Sequence, residues 1–188
     1  MSRISTGTGD KGETGLFDGS RARKASPIVR AFGDVDELDA AIGLAVAAAD
    51  RTAMRRILQQ LQHELFILKA DLATPRSSSK KIRRITKADV ESLEKRIDEL
   101  EASLPELRHF IAYGGTACAA QLQVARAVAR RAERSAWEAH TAPGAGVGDD
   151  LLVWLNRLSD FLFLLARKAN RDSGVAEDEM RMPDEQGG

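Results

Sequence analysis

From Gly33 onward, hydrophobic residues recur at the three- and four-residue spacing of amphipathic α-helices. Turn-forming and helix-ending residues divide this pattern into separate segments, for example at Pro75 and Pro105. The predicted helices cover residues 34–49, 51–72, 86–105, 116–140 and 149–171. Asp34 with Glu37 is a variant of the capping box, so we expect the first helix to begin there. With almost no strand signal, the pattern predicts an all-α fold, a five-helix bundle.

The two ends of the chain do not follow this pattern. Residues 6–19 (TGTGDKGETGLFDG) are rich in Gly and Thr, without helical or strand period, and predict a loop that can become ordered. The stretch after Gly174 is polar and acidic, and we expect it to fray. We therefore predict a single helical-bundle domain over residues 1–174 and a flexible acidic tail over 175–188.

Composition narrows the class of protein. Among 188 residues, 28 Lys and Arg balance 28 Asp and Glu, which argues against nucleic acid as the main partner. No stretch approaches the roughly 20 apolar residues of a membrane span, and the N-terminus lacks the apolar core of a secretory signal. The single Cys118 fits a reducing compartment. We expect a cytoplasmic protein that binds neither nucleic acid nor membrane.

The fourth helix carries an unusual stripe of charge. Its members share one side of the helix: Arg126, Arg130, Glu133 and Arg134. Alanines between them allow other helices to pack closely, and a partly buried arginine needs a carboxylate or a phosphate. The candidate carboxylates are Asp34, Asp36 and Glu37. The alternative is a solvated face that Glu133 partly neutralises.

Two further motifs leave alternatives open. Residues 7–12 (GTGDKG) match G-x-G-x-x-G but lack the strand and helix of a dinucleotide site. Gly, Thr and Lys in this arrangement still suit a phosphate, and the alternative is a flexible arm. Asn156 in the leucine-rich fifth helix fits a register-fixing core residue or a ligand contact equally well. One Glu106-x-x-His109 motif is too little for a di-metal bundle site, so we expect no protein-held metal.

Taken together, the motifs resemble one family over about residues 3–172. The segments that carry the resemblance are 6–15, 21–24 (RARK), 31–43 (AFGDVDELDAAIG), 61–66 (LQHELF), 71–75 (DLATP), 126–134 (RAVARRAER) and 155–163 (LNRLSDFLF). In this order they are similar to the PduO-type ATP:cob(I)alamin adenosyltransferases. The resemblance implies a five-helix bundle that forms a homotrimer, with active sites between subunits and an N-terminal loop that orders over ATP.

The resemblance also implies a reaction and its residues. Cob(I)alamin attacks C5′ of ATP, giving adenosylcobalamin and inorganic triphosphate. Mg²⁺ would bridge the phosphate oxygens. The implied nucleotide-binding residues are Thr6, Thr8, Gly9, Asp10, Lys11, Thr14, Gly15, Lys24, Arg130, Arg131, Glu133, Arg134 and Asn156. The implied catalytic residues are Arg130, Phe110 beneath the corrin, and the pair Asp36 and Arg126, which would join two subunits near the corrinoid.

Two residues depart from the family pattern, and the motifs also fit a second function. Gly7 stands where the family usually has Lys or Arg, and Tyr113 replaces the proline of the turn before the fourth helix. The alternative function is an adenosylcobalamin carrier that delivers the cofactor to another enzyme with little turnover. The complete set of ATP-contacting residues favours the enzyme. A reductase and an adenosylcobalamin-dependent acceptor enzyme are the protein partners that the activity implies.

Overall fold

Five helices form the framework of the chain, whose computed structural model describes residues 5, 7–143 and 146–180. The helices are α1 Pro27–Ala48, α2 Thr52–Leu72, α3 Lys87–Ser103, α4 Ala117–Thr141 and α5 Asp149–Asp172. The strands in the described part are β1 Glu13–Gly15, β2 Arg21–Arg23, β3 Phe110–Ile111 and β4 Glu179–Met180. They pair as two small antiparallel ladders, β1 with β2 and β3 with β4. The predicted five-helix bundle is confirmed.

Helix α4 lies at the centre of the bundle because its alanines let its neighbours approach closely. It packs against α1 on one side and α5 on the other, while α2 packs on α1 and α3 on α5. The fully buried alanines of α4 include Ala125, Ala129, Ala132 and Ala136. Leucines such as Leu38 and Leu158 complete the core, and each fully buried leucine side chain contributes about 1.5–3 kcal/mol to folding.

The ends of α2 to α5 lie within a residue or two of the predicted positions. At the N-termini of α3 and α4, capping hydrogen bonds explain the agreement. Thr116 accepts a hydrogen bond from the Ala119 N–H through its Oγ1, at 3.1 Å. At α3, one carboxylate oxygen of Asp89 accepts from both the Thr86 N–H (2.9 Å) and the Thr86 hydroxyl (2.8 Å). Both contacts satisfy polar groups that the first helical turn cannot bond internally.

The predicted start of α1 at Asp34 is wrong, because the helix begins seven residues earlier, at Pro27. Proline fits the first helical turn, where its fixed φ is helical and its missing N–H is not needed. Asp34 therefore lies inside the helix, and its carboxylate is used elsewhere. It accepts a hydrogen bond from the Ser135 hydroxyl of α4 at 2.5 Å. This is a long-range contact that no local pattern reports.

The connection from α2 to α3 is fixed by a buried carboxylate. Asp71 is almost fully buried, and its Oδ1 lies 2.5 Å from Nη1 of Arg84. Its Oδ2 accepts from the Ile85 N–H at 3.0 Å. Earlier in the same connection, Arg76 Nε donates to the Gly146 carbonyl at 3.0 Å, which ties this loop to the one before α5. The connection therefore has a defined course over the end of the bundle.

The segment that follows α5 has specific contacts as far as Met180. The Val175 N–H donates to the Asn170 carbonyl at 2.9 Å, and Glu177 forms an ion pair with Arg167. Residues 179–180 then pair with β3. The division into a domain over 1–174 and a flexible tail over 175–188 stays a prediction, and residues 181–188 lie outside the described residues. Among the described helices, none has the length and apolarity that crossing a membrane requires.

Candidate active site

The Gly- and Thr-rich loop forms a hairpin that brings a lysine against a glycine. Gly7 and Gly12 have positive φ, which L-residues other than glycine rarely adopt, and they allow the tight turns before β1. The Lys24 N–H donates to the Gly12 carbonyl at 2.8 Å. A Cβ on Gly9 would lie 3.3 Å from Nζ of Lys24, so the ammonium group rests against bare backbone. Such a junction of lysine and exposed backbone suits an anionic ligand.

The other hairpin residues of the predicted set lie around this junction. Asp10 and Lys11 are exposed on the turn, while Thr14 and Gly15 belong to β1. The Thr8 carbonyl accepts from Arg21 Nη2 of β2 at 2.7 Å. Thr6 lies outside the described residues. The structure therefore gathers the described members of the hairpin set on one small element, and their role in nucleotide binding stays a prediction.

Phe17 attaches the hairpin to the bundle. Its N–H donates to the Ala73 carbonyl at the end of α2, at 2.9 Å. Lys80 donates through Nζ to the Phe17 carbonyl at 2.6 Å, and the same ammonium group lies 3.8 Å from the centre of the Phe17 ring. Both bonds lie at the connection between β1 and β2, so the turns at residues 7–12, which precede β1, stay accessible.

Arg131 meets two of the three carboxylates that the sequence proposed for the arginine stripe. Its Nε lies 3.5 Å from Oδ1 of Asp34, and its Nη2 forms an ion pair with Glu37. The hydrogen bond that Arg131 donates to Glu37, followed by the charges of Glu37 and Asp34, raises the pKa of Arg131 above its ordinary value. Arg131 thus joins α4 to α1. The third candidate, Asp36, pairs with Lys69 of α2 instead.

Arg130 and Arg134 are the exposed members of the stripe. They lie four residues apart on α4, on one side of the helix. Neither makes an ion pair with any other residue in the part of the chain described. These two guanidinium groups have no carboxylate partner, whereas the neighbouring Arg131 has two. Together they form a local excess of positive charge. This is the charge distribution that an oligophosphate requires.

Asn156 joins α5 to α4 at the same level of the bundle. Its Nδ2 donates to Oε1 of Glu133 at 3.0 Å, and its Oδ1 accepts from Arg157 Nη1 at 2.8 Å. Arg157 also pairs with Glu94 of α3, at 2.8 Å. Asn156 therefore has the interhelical contacts expected of a register-fixing residue. Its contact with a nucleotide stays a prediction.

Asp36 and Arg126 do not contact each other within one chain. Asp36 lies 3.0 Å from Nζ of Lys69, whose Nζ also lies 2.8 Å from Asp39. Burial alone lowers the pKa of Lys69, but hydrogen bonds with Asp39 and Asp36 outweigh it and raise the pKa. Arg126 donates through Nε to Gln123 at 2.9 Å and stacks on Tyr113. The predicted pair of Asp36 with Arg126 across two subunits stays a prediction.

Phe110 presents an aromatic ring to solvent at the other end of α4. The residue is 85% exposed, on the short strand β3. Tyr113 (64%) follows in the turn before α4, and Met180 (60%) lies opposite Phe110 in β4. Large apolar side chains rarely gather in the open unless a ligand or a partner covers them. The three side chains form what we call the apolar floor.

Sequence reasoning missed three residues of this region. Lys80 lies in the polar, basic connection between α2 and α3, Met180 lies in the predicted tail, and Lys69 lies on α2, whose leucine spacing says nothing of its polar side. Each acts through a contact distant in sequence, so no local spacing could have identified it. Among the described residues, no group of three or more His, Cys, Asp or Glu side chains could hold a metal ion.

The fold and these features define a class of helical-bundle proteins with a cationic hairpin, an arginine stripe and an exposed apolar floor. The sequence matches the cobalamin adenosyltransferase family over residues 4–169, and the chain belongs to this family. It is 45% identical over 178 residues to the corrinoid adenosyltransferase of Mycobacterium tuberculosis, covering 93% of this chain and 92% of that protein. It is 41% identical over 182 residues to the corrinoid adenosyltransferase of Bacillus subtilis, covering 93% and 90% respectively.

A solved structure has the same fold. It is a variant of the PduO-type ATP:corrinoid adenosyltransferase from Lactobacillus reuteri, complexed with cobalamin and ATP. The two structures superpose with a TM-score of 0.88 at 32% sequence identity, over 96% of this chain and 100% of that one. The resemblance inferred from the sequence motifs is therefore confirmed at the level of the family and the fold.

Proposed function

We propose that this chain, a corrinoid adenosyltransferase, transfers the 5′-deoxyadenosyl group of ATP to the cobalt of cob(I)alamin. The observation that carries this assignment is the pair of exposed arginines, Arg130 and Arg134, in a protein of this family. Their charge excess suits the triphosphate, which must be held while it becomes the leaving group. The lysine junction of the hairpin, formed by Gly9 and Lys24, supplies a second cationic element.

The reaction balances without a protein base. The electron pair of cob(I)alamin forms the cobalt–carbon bond at C5′, the C5′–oxygen bond breaks, and triphosphate leaves with the pair from that bond. No proton has to move in this step, which agrees with a site built from cations rather than from a histidine. Arg130, Arg134 and Lys24 stabilise the charge that grows on the leaving group. Mg²⁺ enters with ATP, bound to its phosphate oxygens.

The apolar floor serves the corrinoid. We place the Phe110 ring beneath the corrin, where it displaces the lower axial ligand of cobalt. An apolar group there offers no replacement ligand and excludes water from a reactive metal centre. The 85% exposure of Phe110 supports this assignment, because the ring is not used in the core of its own chain.

We further propose a homotrimer with active sites between subunits. The turn between β1 and β2 meets the bundle near the end of α4, since Leu16 and Ala139 line the same cavity. Arg130 lies nine residues before Ala139, about 13 Å along the helix axis. No hydrogen bond or ion pair in the described part of the chain joins the hairpin to Arg130. A neighbouring subunit would complete both this site and the pair of Asp36 with Arg126. The cytoplasm remains the expected location.

The deciding experiment is an anaerobic assay with ATP, Mg²⁺ and chemically reduced cobalamin. We expect the absorbance change of adenosylcobalamin formation, with one triphosphate released for each adenosylcobalamin formed. Binding of both ligands without turnover would contradict the transferase and identify the carrier instead. A protein that bound neither ATP nor corrinoid would contradict both and leave a helical scaffold.

A further inference from the structure

The segment that carries Phe110 has little core packing of its own. Phe110 and Tyr113 are both exposed, and β3 has only two residues. An exposed ring on a short connection would sample many positions unless the backbone were held from elsewhere. The backbone of residues 110–116 is held at both ends, and both attachments begin on α5.

Asn170 holds the end that leads into α4. Its Oδ1 accepts from the Thr116 N–H at 2.9 Å, and its Nδ2 donates to the Gly114 carbonyl at 3.0 Å. Between them, Gly115 has φ of +93°, and a Cβ there would clash with the Asn170 carboxamide. Only a carboxamide offers both a donor and an acceptor in this geometry, because an aspartate has no N–H.

Arg167 holds the other end through the segment after α5. This arginine is only 4% exposed, and its Nε and Nη2 donate to the two carboxylate oxygens of Glu177 at 2.6 and 3.0 Å. Nη2 also donates to the Pro105 carbonyl at 2.8 Å. A buried guanidinium group requires such a partner, so the bidentate contact fixes where the chain runs after α5.

Glu177 leads directly into the strand that pairs with Phe110. The Ala112 N–H donates to the carbonyl of Asp178 at 2.8 Å, and Phe110 lies opposite Met180 in the ladder. Arg167 thus sets the position of β4, and β4 sets the position of β3. Arg167 and Asn170 are three residues apart on α5, so both project from the same side of its last turns.

We propose that Arg167 and Asn170 are positioning residues that fix the Phe110 ring for the corrinoid by anchoring its segment at both ends. This inference rests on the proposed function, because it assigns the anchoring to the role of Phe110 beneath the corrin. The anchoring should matter for the corrinoid and not for ATP. Weakening either anchor disturbs the steps that need the corrin in place and spares ATP binding, which uses the hairpin and α4.

The variants that test this are Asn170→Asp and Glu177→Ala. Asn170→Asp keeps the shape and the acceptor for Thr116 but removes the donor for Gly114. Glu177→Ala removes the partner of Arg167 at a residue that is 26% exposed on its side chain, outside the helical core. The matched control is Arg171→Ala, at an exposed arginine of the same helix end whose side chain makes no hydrogen bond or ion pair in the described part of the chain.

The measurements are kcat and KM for each substrate, starting from cob(II)alamin with a reductant, and the visible spectrum of cob(II)alamin bound in the presence of ATP. For both variants we expect kcat/KM for the corrinoid to fall about ten- to a hundred-fold, as misplaced catalytic geometry commonly does. The spectral signature of the species without its lower ligand should weaken. KM for ATP should stay near the wild-type value in both variants, and Arg171→Ala should match wild type throughout. Glu177→Ala should lower the melting temperature, because it leaves the buried Arg167 without its carboxylate.

Folded variants with wild-type corrinoid kinetics and spectrum would overturn the anchoring role. A loss that fell equally on KM for ATP would overturn it as well, because it would indicate general damage. Should Asn170→Asp fail to fold, Glu177→Ala decides the question alone. A wild-type protein that forms no adenosylcobalamin would instead refute the proposed function, so the two failures are distinguishable.

Discussion

The guanidinium carbon of Arg126 lies 4.7 Å from the centre of the Tyr113 ring, so the arginine of α4 stacks on the residue that replaces the family's usual proline. The contact gives Arg126 a partner inside its own chain, while Asp36, its proposed intersubunit partner, is held by Lys69. Tyr113 therefore orients Arg126 before a second subunit or a corrinoid is present.

Replacing Tyr113 tests this orientation. Tyr113→Leu removes the ring, and an exposed cation–π contact is worth about 0.5–1 kcal/mol. We expect corrinoid affinity to fall about two- to five-fold, because 1.4 kcal/mol corresponds to a factor of ten. Titration of the cobalamin spectrum measures this. Tyr113→Phe keeps the ring and should bind like wild type. Equal affinities for Leu and Phe would show that the stacking has no role.

Arg130→Ala should remove most of the transferase activity. Loss of one preorganised donor to developing charge typically costs about 10²–10³ in kcat. The helical circular dichroism should be unchanged, since Arg130 is exposed on α4. Arg130→Lys keeps the charge but loses the planar fork, and we expect intermediate activity. Near-wild-type formation of adenosylcobalamin by Arg130→Ala would contradict the proposed site.

Phe110→Ala should act selectively on the corrinoid. We expect the transferase activity measured with cob(II)alamin and a reductant to fall, because the lower axial ligand would no longer be displaced. KM for ATP should change little. Leu107→Ala removes a comparable exposed apolar side chain before β3 and is the matched control. Collapse of ATP affinity in Phe110→Ala would show that the role assigned to this ring is wrong.

Lys80→Ala should weaken ATP binding from a distance. The side chain secures the turn between β1 and β2 through the Phe17 carbonyl and ring, and its loss gives the hairpin more freedom. We expect Kd for ATP, measured by calorimetry, to rise about five-fold, as for a lost contact of about 1 kcal/mol. Lys81→Ala removes the same charge one residue later and is the control. A similar rise in both variants would point to charge rather than to attachment.

Asp89 should make α3 sensitive to acid. Burial alone raises the pKa of this carboxyl, but hydrogen bonds from Arg83 and Thr86 outweigh it and lower the pKa below 3.8. A lowered pKa means that the carboxylate stabilises the fold above the unfolded-state pKa and that this contribution is lost as the pH falls through the folded-state pKa.

The free energy of unfolding in urea measures this contribution. At neutral pH, Asp89→Ala should cost about 1 kcal/mol, as the loss of a cap does. The difference from wild type should shrink as the pH falls below about 4. Asp98→Ala, at an exposed position on the same helix, should show little difference at any pH. A difference for Asp89→Ala that did not depend on pH would assign the effect to packing instead of charge.

The helices could be read from the sequence because their signals are local. Leucine spacing and the proline at 75 give the bounds of α2, and Thr86 and Thr116 mark the starts of α3 and α4. The predicted start of α1 was wrong because Asp34 looks like an N-cap in the sequence. Its carboxylate instead accepts a hydrogen bond from Ser135, 101 residues away. Strands of two or three residues have no period to detect.

Charge balance predicted part of the site. The need of a partly buried arginine for carboxylates led to three candidate partners for the stripe. The structure shows two of them, Asp34 and Glu37, on Arg131, which lies beside the stripe and is not one of its members. Charge balance in the sequence could not show that Asp36 pairs with Lys69, because that contact depends on how α1 and α2 pack. The anchor between Arg167 and Glu177 was equally hidden, since Glu177 looked like one more acidic residue of a tail.

The alternation of arginines with buried alanines on α4 has a consequence for folding accuracy. Turning the helix by one residue, about 100°, would drive a guanidinium group into the alanine-lined contact with α1 or α5. A charge buried there without a carboxylate is strongly unfavourable, so the misrotated bundle is penalised. The arginines proposed to hold triphosphate therefore also fix the rotation of α4 about its own axis during folding.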